Sequence, residues 1–193
     1  DAWRTPLGEV LEVAEKLAAD DIELDLVNLG GGFPGSYDDD APGVAVYGRA
    51  ILDAVAEVFG DRIPALAAEP GRYLVADAGV IVSEVVLVAR KDPHDPLRWV
   101  YLDVGVFSGL VETVGESVRY PIRTGRDGEP TGPAVLAGPT CDSLDVMAET
   151  EPYELPLSLA DGDRVLLLTA GAYTTTYSSV AFNGFPPLKT IHI

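Results

Sequence analysis

The chain has 193 residues and a formal net charge of −18 at pH 7, from 31 acidic side chains against 13 basic ones. Such a surface repels phosphate backbones and argues against nucleic-acid binding, while a hydrophobic content of 47% supports a packed core and argues against disorder. No apolar run reaches the about 18 residues of a membrane helix, and a single cysteine, Cys141, leaves no internal disulfide to form.

Residues Leu7 to Ala19 read as an amphipathic helix. Leu7, Val10, Leu11, Ala14, Leu17 and Ala18 share a face, Thr5 is placed as N-cap and Pro6 at the first helical position. A strand follows from Leu24 to Leu29 and runs into Gly30-Gly31-Gly32-Phe33-Pro34-Gly35. Residues 36–43 are acidic and loop-like. Val44 to Phe59 is a second amphipathic helix, stopped by Gly60. A second strand, Ala65 to Ala68, ends at Glu69-Pro70-Gly71-Arg72. Helix and strand thus alternate, and each strand runs into an unusual loop. In parallel α/β sheets and barrels, functional groups gather at such strand ends.

After about Ala78 the texture changes. Val80 to Val88 is rich in β-branched residues and reads as a long strand, followed by a turn at 91–96 and a strand from Arg98 to Val104. Further strands are expected over Ser117–Ile122, Ala134–Leu136 and Arg164–Leu168, between Gly- and Pro-rich turns. This pattern predicts an α/β part over residues 1–78 and an all-β sandwich or barrel over 79–193.

Four stretches carry candidate chemistry. The amide hydrogens of Gly30 to Gly32 can form an anion nest of the kind that takes phosphate, or the glycines are only a flexible turn. In Glu69-Pro70-Gly71-Arg72, the carboxylate and guanidinium form a local ion pair, or separate to serve a ring nitrogen and a phosphate. Tyr173, in Gly171-Ala172-Tyr173-Thr174, is a core ring or a hydroxyl donor to phosphate. Cys141 stands in Gly138-Pro139-Thr140-Cys141-Asp142-Ser143-Leu144-Asp145. The Gly-Pro entry forces a turn and places the thiol at a loop tip. Asp142 and Asp145 would disfavour its ionisation, keeping a proton available to a general acid. No metal-ligand cluster is expected.

Taken in order, Gly-Gly-Gly-Phe-Pro-Gly, Glu-Pro-Gly-Arg-Tyr, Gly-Pro-Thr-Cys-Asp-Ser-Leu-Asp, Gly-Ala-Tyr-Thr and Phe-Asn-Gly-Phe closely resemble the ornithine decarboxylase branch of the fold type III pyridoxal-phosphate decarboxylases, from about Ile22 to the end. The Cys-Asp-Ser-Leu-Asp form resembles ornithine and lysine decarboxylases more than diaminopimelate decarboxylases, where a Cys-Glu-Ser-Gly-Asp-like run is expected. The resemblance implies the last βα units of a TIM-type, alanine-racemase-like barrel over 1–78, followed by a C-terminal β-barrel or sandwich domain. It implies pyridoxal 5′-phosphate as cofactor, its phosphate bound by Gly30, Gly31, Gly32, Gly71, Arg72 and Tyr173 and its pyridine nitrogen by Glu69. Cys141 would protonate the carbon that has lost CO₂, Asp142 would bind the distal amine of the substrate, and Phe182 would line the same pocket. Cys141 and Asp142 would serve the partner subunit's site, so a homodimer with shared active sites is implied. Family members often carry a Tyr-Asp pair whose Asp meets the substrate amine. Here Gly115-Glu116 follows Gly105-Val106-Phe107, and Glu116 takes that place.

The implied function is decarboxylation of a basic amino acid in polyamine biosynthesis, ornithine to putrescine or lysine to cadaverine. The family also needs a lysine bonded to the cofactor and a histidine stacked on its ring. Lys16, Lys91 and Lys189, and His94 and His192, have no suitable context. The chain is therefore expected to be the C-terminal half of a longer enzyme, incompetent without its N-terminal half. The start, Asp1-Ala2-Trp3-Arg4, shows no signal peptide, and a reducing cytoplasm is expected. The alternatives are a non-catalytic binding or regulatory protein on the same fold, or a diaminopimelate decarboxylase-like enzyme.

Overall fold

The computed structural model describes residues 2–38 and 41–193; Asp1, and Asp39 and Asp40 of the expected acidic loop, lie outside the described residues. The chain divides into two compact units. One contains α1 (Arg4–Ala18), β1 (Leu26–Asn28), α2 (Val44–Phe59) and β2 (Ala65–Ala67); the other takes Gly35–Asp38 together with Arg72–Ile193.

In the first unit β1 and β2 pair in parallel, Val27 opposite Leu66. Parallel neighbours need a long crossover, and α2 supplies it. Leu7, Val27, Ile51, Ala54, Val55 and Phe59 form its core. Two parallel strands and two helices thus represent the α/β part. The α2 boundaries are those the periodicity predicts, and Gly60 ends the helix at φ 56°. The start of α1 differs: the helix begins at Arg4, and its N-cap, Trp3, makes no side-chain cap bond. Thr5 and Pro6 lie inside the first turn, where a missing N–H costs nothing. The Trp3 ring stacks on Phe33 at 6.1 Å, which anchors the start of the helix without capping its first N–H groups.

The second unit opens near α3 (Gly71–Val75) and is otherwise one seven-stranded sheet: β3 (Ile81–Ala89), β4 (Arg98–Leu102), β5 (Ile122–Thr124), β6 (Thr131–Ala137), β7 (Val146–Met147), β8 (Tyr153–Pro156) and β9 (Arg164–Leu167). The order is β5-β9-β3-β4-β6-β7, with β8 also on β6, and only β4 and β6 are parallel. β3 is the corner strand. Its first half, Ile81 to Glu84, pairs with β9; from Val85 on it pairs with β4, across an irregularity between Val85 and Leu87. A bulge at such a point lets one strand serve two differently oriented halves. Ile81, Ser83 and Val85 face inward while Val82, Glu84 and Val86 face out. Their core includes Val100, Leu102, Leu110, Tyr120, Leu136, Met147 and Leu167. Arg98, only 3% exposed, donates to the carbonyls of Gly132, Leu155 and Pro156 and ties β4 to β6 and β8.

Two expectations change here. Residues 117–121 are not a strand: 3₁₀ turns over Val111–Glu116 precede them, and the ladder starts only at Ile122. Pro121 cannot donate to a ladder; its carbonyl takes the Leu168 N–H instead. β7 and β8 are additional strands, too short and too interrupted by Pro and Glu to read from the pattern.

One close approach positions a later site residue. Ala170 N–H donates to Gly79 O and Gly171 N–H to Ala76 O, each at 2.8 Å. A Cβ on Gly171 would fall 1.9 Å from Val75 O. Gly171→Ala is expected to cost about 2 kcal/mol or more by overpacking, read as a lowered urea midpoint at unchanged m-value.

Candidate functional site

The triple glycine is held against the Glu69 turn. Glu69 N–H donates to Gly30 O, and Gly31 lies so close that a Cβ there would come 2.9 Å from Glu69 O. Gly30 and Gly32 have φ of 72° and 82°, a region that favours glycine. Asn28 links the two loops: its Oδ1 accepts from Gly30 N–H at 2.9 Å and its Nδ2 donates to Glu69 Oε1 at 2.6 Å. Glu69 is exposed. Asn28 is absent from the residues singled out in the sequence, because its partner lies 41 positions away.

Glu69 and Arg72 do not form the local ion pair weighed above. Arg72 makes a bidentate pair with Glu112, Nη1 to Oε2 at 2.8 Å and Nη2 to Oε1, with side chains only 20% and 17% exposed. Its Nη1 also donates to the Tyr37 hydroxyl at 2.8 Å, and its Cζ lies 4.9 Å from the Tyr173 ring centroid. The hydrogen bonds to Glu112 raise the Arg72 pKa further above its ordinary value, and burial raises that of Tyr37. Arg72 and Tyr173 are therefore neighbours, in contact through the guanidinium and the ring face. Tyr173 adopts φ 55° and remains exposed.

The Cys141 loop is built around Asp145. That carboxylate, 1% exposed, accepts from Val106 N–H at 2.7 Å, Thr140 N–H at 3.0 Å and the Thr140 hydroxyl at 2.6 Å. Cβ atoms on Gly105 and Gly138 would meet its Oδ1 at 2.1 and 2.2 Å, so both glycines exist to admit it. Asp145 thus spends its charge on donors of the loop and of the 105–108 turn, not on the thiol as the sequence reading supposes. Asp142 accepts from Leu144 N–H at 2.9 Å and shapes the turn. Cys141 itself is exposed, with φ 59°. Asn183 Nδ2 donates to Thr140 O at 2.8 Å, and Phe182 stacks on Phe107 with centroids 4.0 Å apart. Cys141, Asp142, Phe182 and Phe107 are thereby gathered on one hydrogen-bonded assembly. Glu116 uses Oε1 to accept from Thr150 N–H at 2.7 Å, a contact the sequence reading does not include.

Residues 21–171 match the family model described as pyridoxal-dependent decarboxylase, C-terminal sheet domain. A probable ornithine decarboxylase of Dictyostelium discoideum is 32% identical over 92% of the chain and 39% of its own length. A diaminopimelate decarboxylase of Staphylococcus aureus is 29% identical over 82% of the chain and 38% of its length. Among solved structures, the lysine/ornithine decarboxylase of Vibrio vulnificus complexed with cadaverine superposes with a TM-score of 0.80 at 32% identity, over 98% of this chain and 50% of that one. The chain belongs to the pyridoxal-dependent decarboxylase family, and it spans about two fifths of the length of the curated relatives it matches. The chemistry of the residues present suits the family's cofactor: Glu69 presents an exposed carboxylate oriented by Asn28, and Arg72 keeps guanidinium donors beyond those given to Glu112 and Tyr37.

Removing the Asp145 carboxylate strands buried donors of Val106 and Thr140. Asp145→Ala is expected to lose about 3 kcal/mol of stability, measured by chemical denaturation, and to speed alkylation of Cys141 relative to its rate in the parent protein.

Proposed function

We propose that the protein containing this chain is a carboxy-lyase that uses pyridoxal 5′-phosphate to decarboxylate a basic amino acid, ornithine or lysine, yielding putrescine or cadaverine for polyamine biosynthesis in the cytoplasm. The observation that supports it most is an exposed Cys141 followed by Asp142, on a loop fixed by Asp145 and Asn183 beside stacked Phe107 and Phe182. A thiol presented at an exposed turn next to a carboxylate and an apolar wall suits a substrate with a reacting carbon, an aliphatic chain and a distal ammonium.

When bound, the cofactor supplies an electron-withdrawing ring that accepts the electron pair left by departing CO₂. Gly31, Gly32, Arg72 and Tyr173 hold its phosphate; Gly30 and Gly71, expected in the same set, spend their N–H groups on Asn28 Oδ1 and Glu69 O and serve to shape the loops. Glu69, oriented by Asn28, keeps the ring nitrogen protonated. Cys141 delivers a proton from Sγ to the substrate's α-carbon. Asp142 takes the distal ammonium, and Phe182 lies along the aliphatic chain. Glu116 acts on the same ammonium through Oε2, its Oε1 being bonded to Thr150 N–H. Cys141 and Asp142 reach the site of a partner subunit in a homodimer. Residues 1–78 are the last βα units of a barrel whose remainder supplies the covalent lysine; Lys16, Lys91 and Lys189 do not have that role. Lys91, for one, lies with Nζ 3.2 Å from the Trp99 ring centroid.

The test is CO₂ release by the complete protein, with cofactor, from ornithine, lysine, arginine and diaminopimelate. Turnover with ornithine or lysine at a kcat/KM at least about tenfold above the other two is expected, the discrimination one well-placed charged contact provides. No turnover of any of the four would overturn the proposal.

A further inference from the structure

Arg72 has five N–H donors in a rigid plane, arranged as two forks: an end fork from Nη1 and Nη2, and a side fork from Nε and Nη2. Glu112 takes the end fork with both carboxylate oxygens, and Tyr37 takes the remaining Nη1 donor. Three of five donors are thereby committed. The two left, Nε–H and the second Nη2–H, are parallel and form the side fork. A fork of this kind matches two oxygens of a phosphate. The Tyr173 ring lies against the guanidinium and restricts its tilt. Tyr37 is itself braced, with its ring edge-on to the buried Tyr120 at 5.7 Å. Nothing in this arrangement needs a long side chain to search for its position at the moment of binding.

We infer that Glu112, with Tyr37, is the positioning residue of the cofactor site: it locks Arg72 so that only the side fork is offered to the cofactor phosphate. The inference rests on the reading of Arg72 as a phosphate ligand and deepens it. Glu112 also has an opposing effect. Its charge lies on the neighbouring edge of the guanidinium and would repel a phosphate held on the side fork. The two effects have opposite signs and separate in a double-mutant cycle. With Arg72 present, orientation dominates and Glu112 strengthens phosphate binding. Without Arg72 only the repulsion remains.

The experiment uses the complete protein and compares equilibrium binding of pyridoxal 5′-phosphate with that of pyridoxal, which lacks the phosphate. Parent, Glu112→Ala, Arg72→Ala and the double variant are titrated. Glu112→Ala is expected to raise the Kd for pyridoxal phosphate about tenfold, the worth of one charge-assisted hydrogen bond, while leaving the Kd for pyridoxal unchanged. In the Arg72→Ala background the same change should leave the phosphate-form Kd equal or lower. If Glu112→Ala leaves that Kd unchanged or tighter with Arg72 present, while Arg72→Ala weakens it, the positioning role is overturned and Arg72 remains a phosphate ligand. If Arg72→Ala leaves the ratio of the two Kd values unchanged, the phosphate reading fails and the inference with it. Should Glu112→Ala not fold, Glu112→Gln, which keeps one acceptor, must show a smaller shift of the same sign; an unchanged ratio overturns the inference.

Discussion

A buried carboxylate with three donors organises the functional end of the β unit. Asp145 can be 1% exposed only because Val106 N–H, Thr140 N–H and the Thr140 hydroxyl replace the water it gives up. Two glycines, Gly105 and Gly138, clear the space. The consequence is that the loop carrying Cys141 and the turn carrying Phe107 are a single rigid body. The C-terminal segment is then laid on that body: Ser179 N–H donates to Phe107 O, Leu188 N–H to Ser108 O, and Asn183 to Thr140 O. A thiol at a loop tip is ordinarily mobile. Here its neighbours on both sides, Thr140 and Asp142, are hydrogen-bonded within the loop.

The strong acidity of the chain is handled locally. Where a cation is most buried it is paired with care: Arg72 with Glu112 and Tyr37, Arg98 with three backbone carbonyls. The two solutions differ in chemistry. Arg98 keeps its full charge among neutral dipoles and ties strands together. Arg72 is neutralised by a carboxylate and is left with two directed donors. The first ties strands together; the second leaves two donors of known direction at the surface of the unit.

Much of this was legible in the sequence where the signal is local. The α2 helix follows a 3.6-residue repeat closed by Gly60, and both of its ends agree with the pattern. The Gly-Pro entry to the Cys141 loop speaks for an exposed turn, and Cys141 is exposed. The illegible parts are those set by distant partners. Asn28 and Glu112 look like ordinary polar residues until Glu69 and Arg72 arrive from 41 and 40 positions away. Asp145 reads as a neighbour of the thiol along the chain, whereas packing turns it toward Val106, 39 positions away. Thr5 has the composition of a cap, but the helix starts at Arg4, next to a Trp3 whose ring is packed on Phe33. The motifs identify the family because they are short and contiguous; the contacts that hold them in place are neither.

Every role proposed for the loop over residues 138–145 depends on Cys141 being the proton donor to the α-carbon. The most direct test is the ratio of amine formed to CO₂ released by the complete protein carrying Cys141→Ala. The parent should give one amine per CO₂. The variant is expected to bind pyridoxal phosphate as tightly as the parent and to release CO₂ with well under one equivalent of amine. One amine per CO₂ at the parent rate, or a collapse of cofactor affinity, would contradict the role.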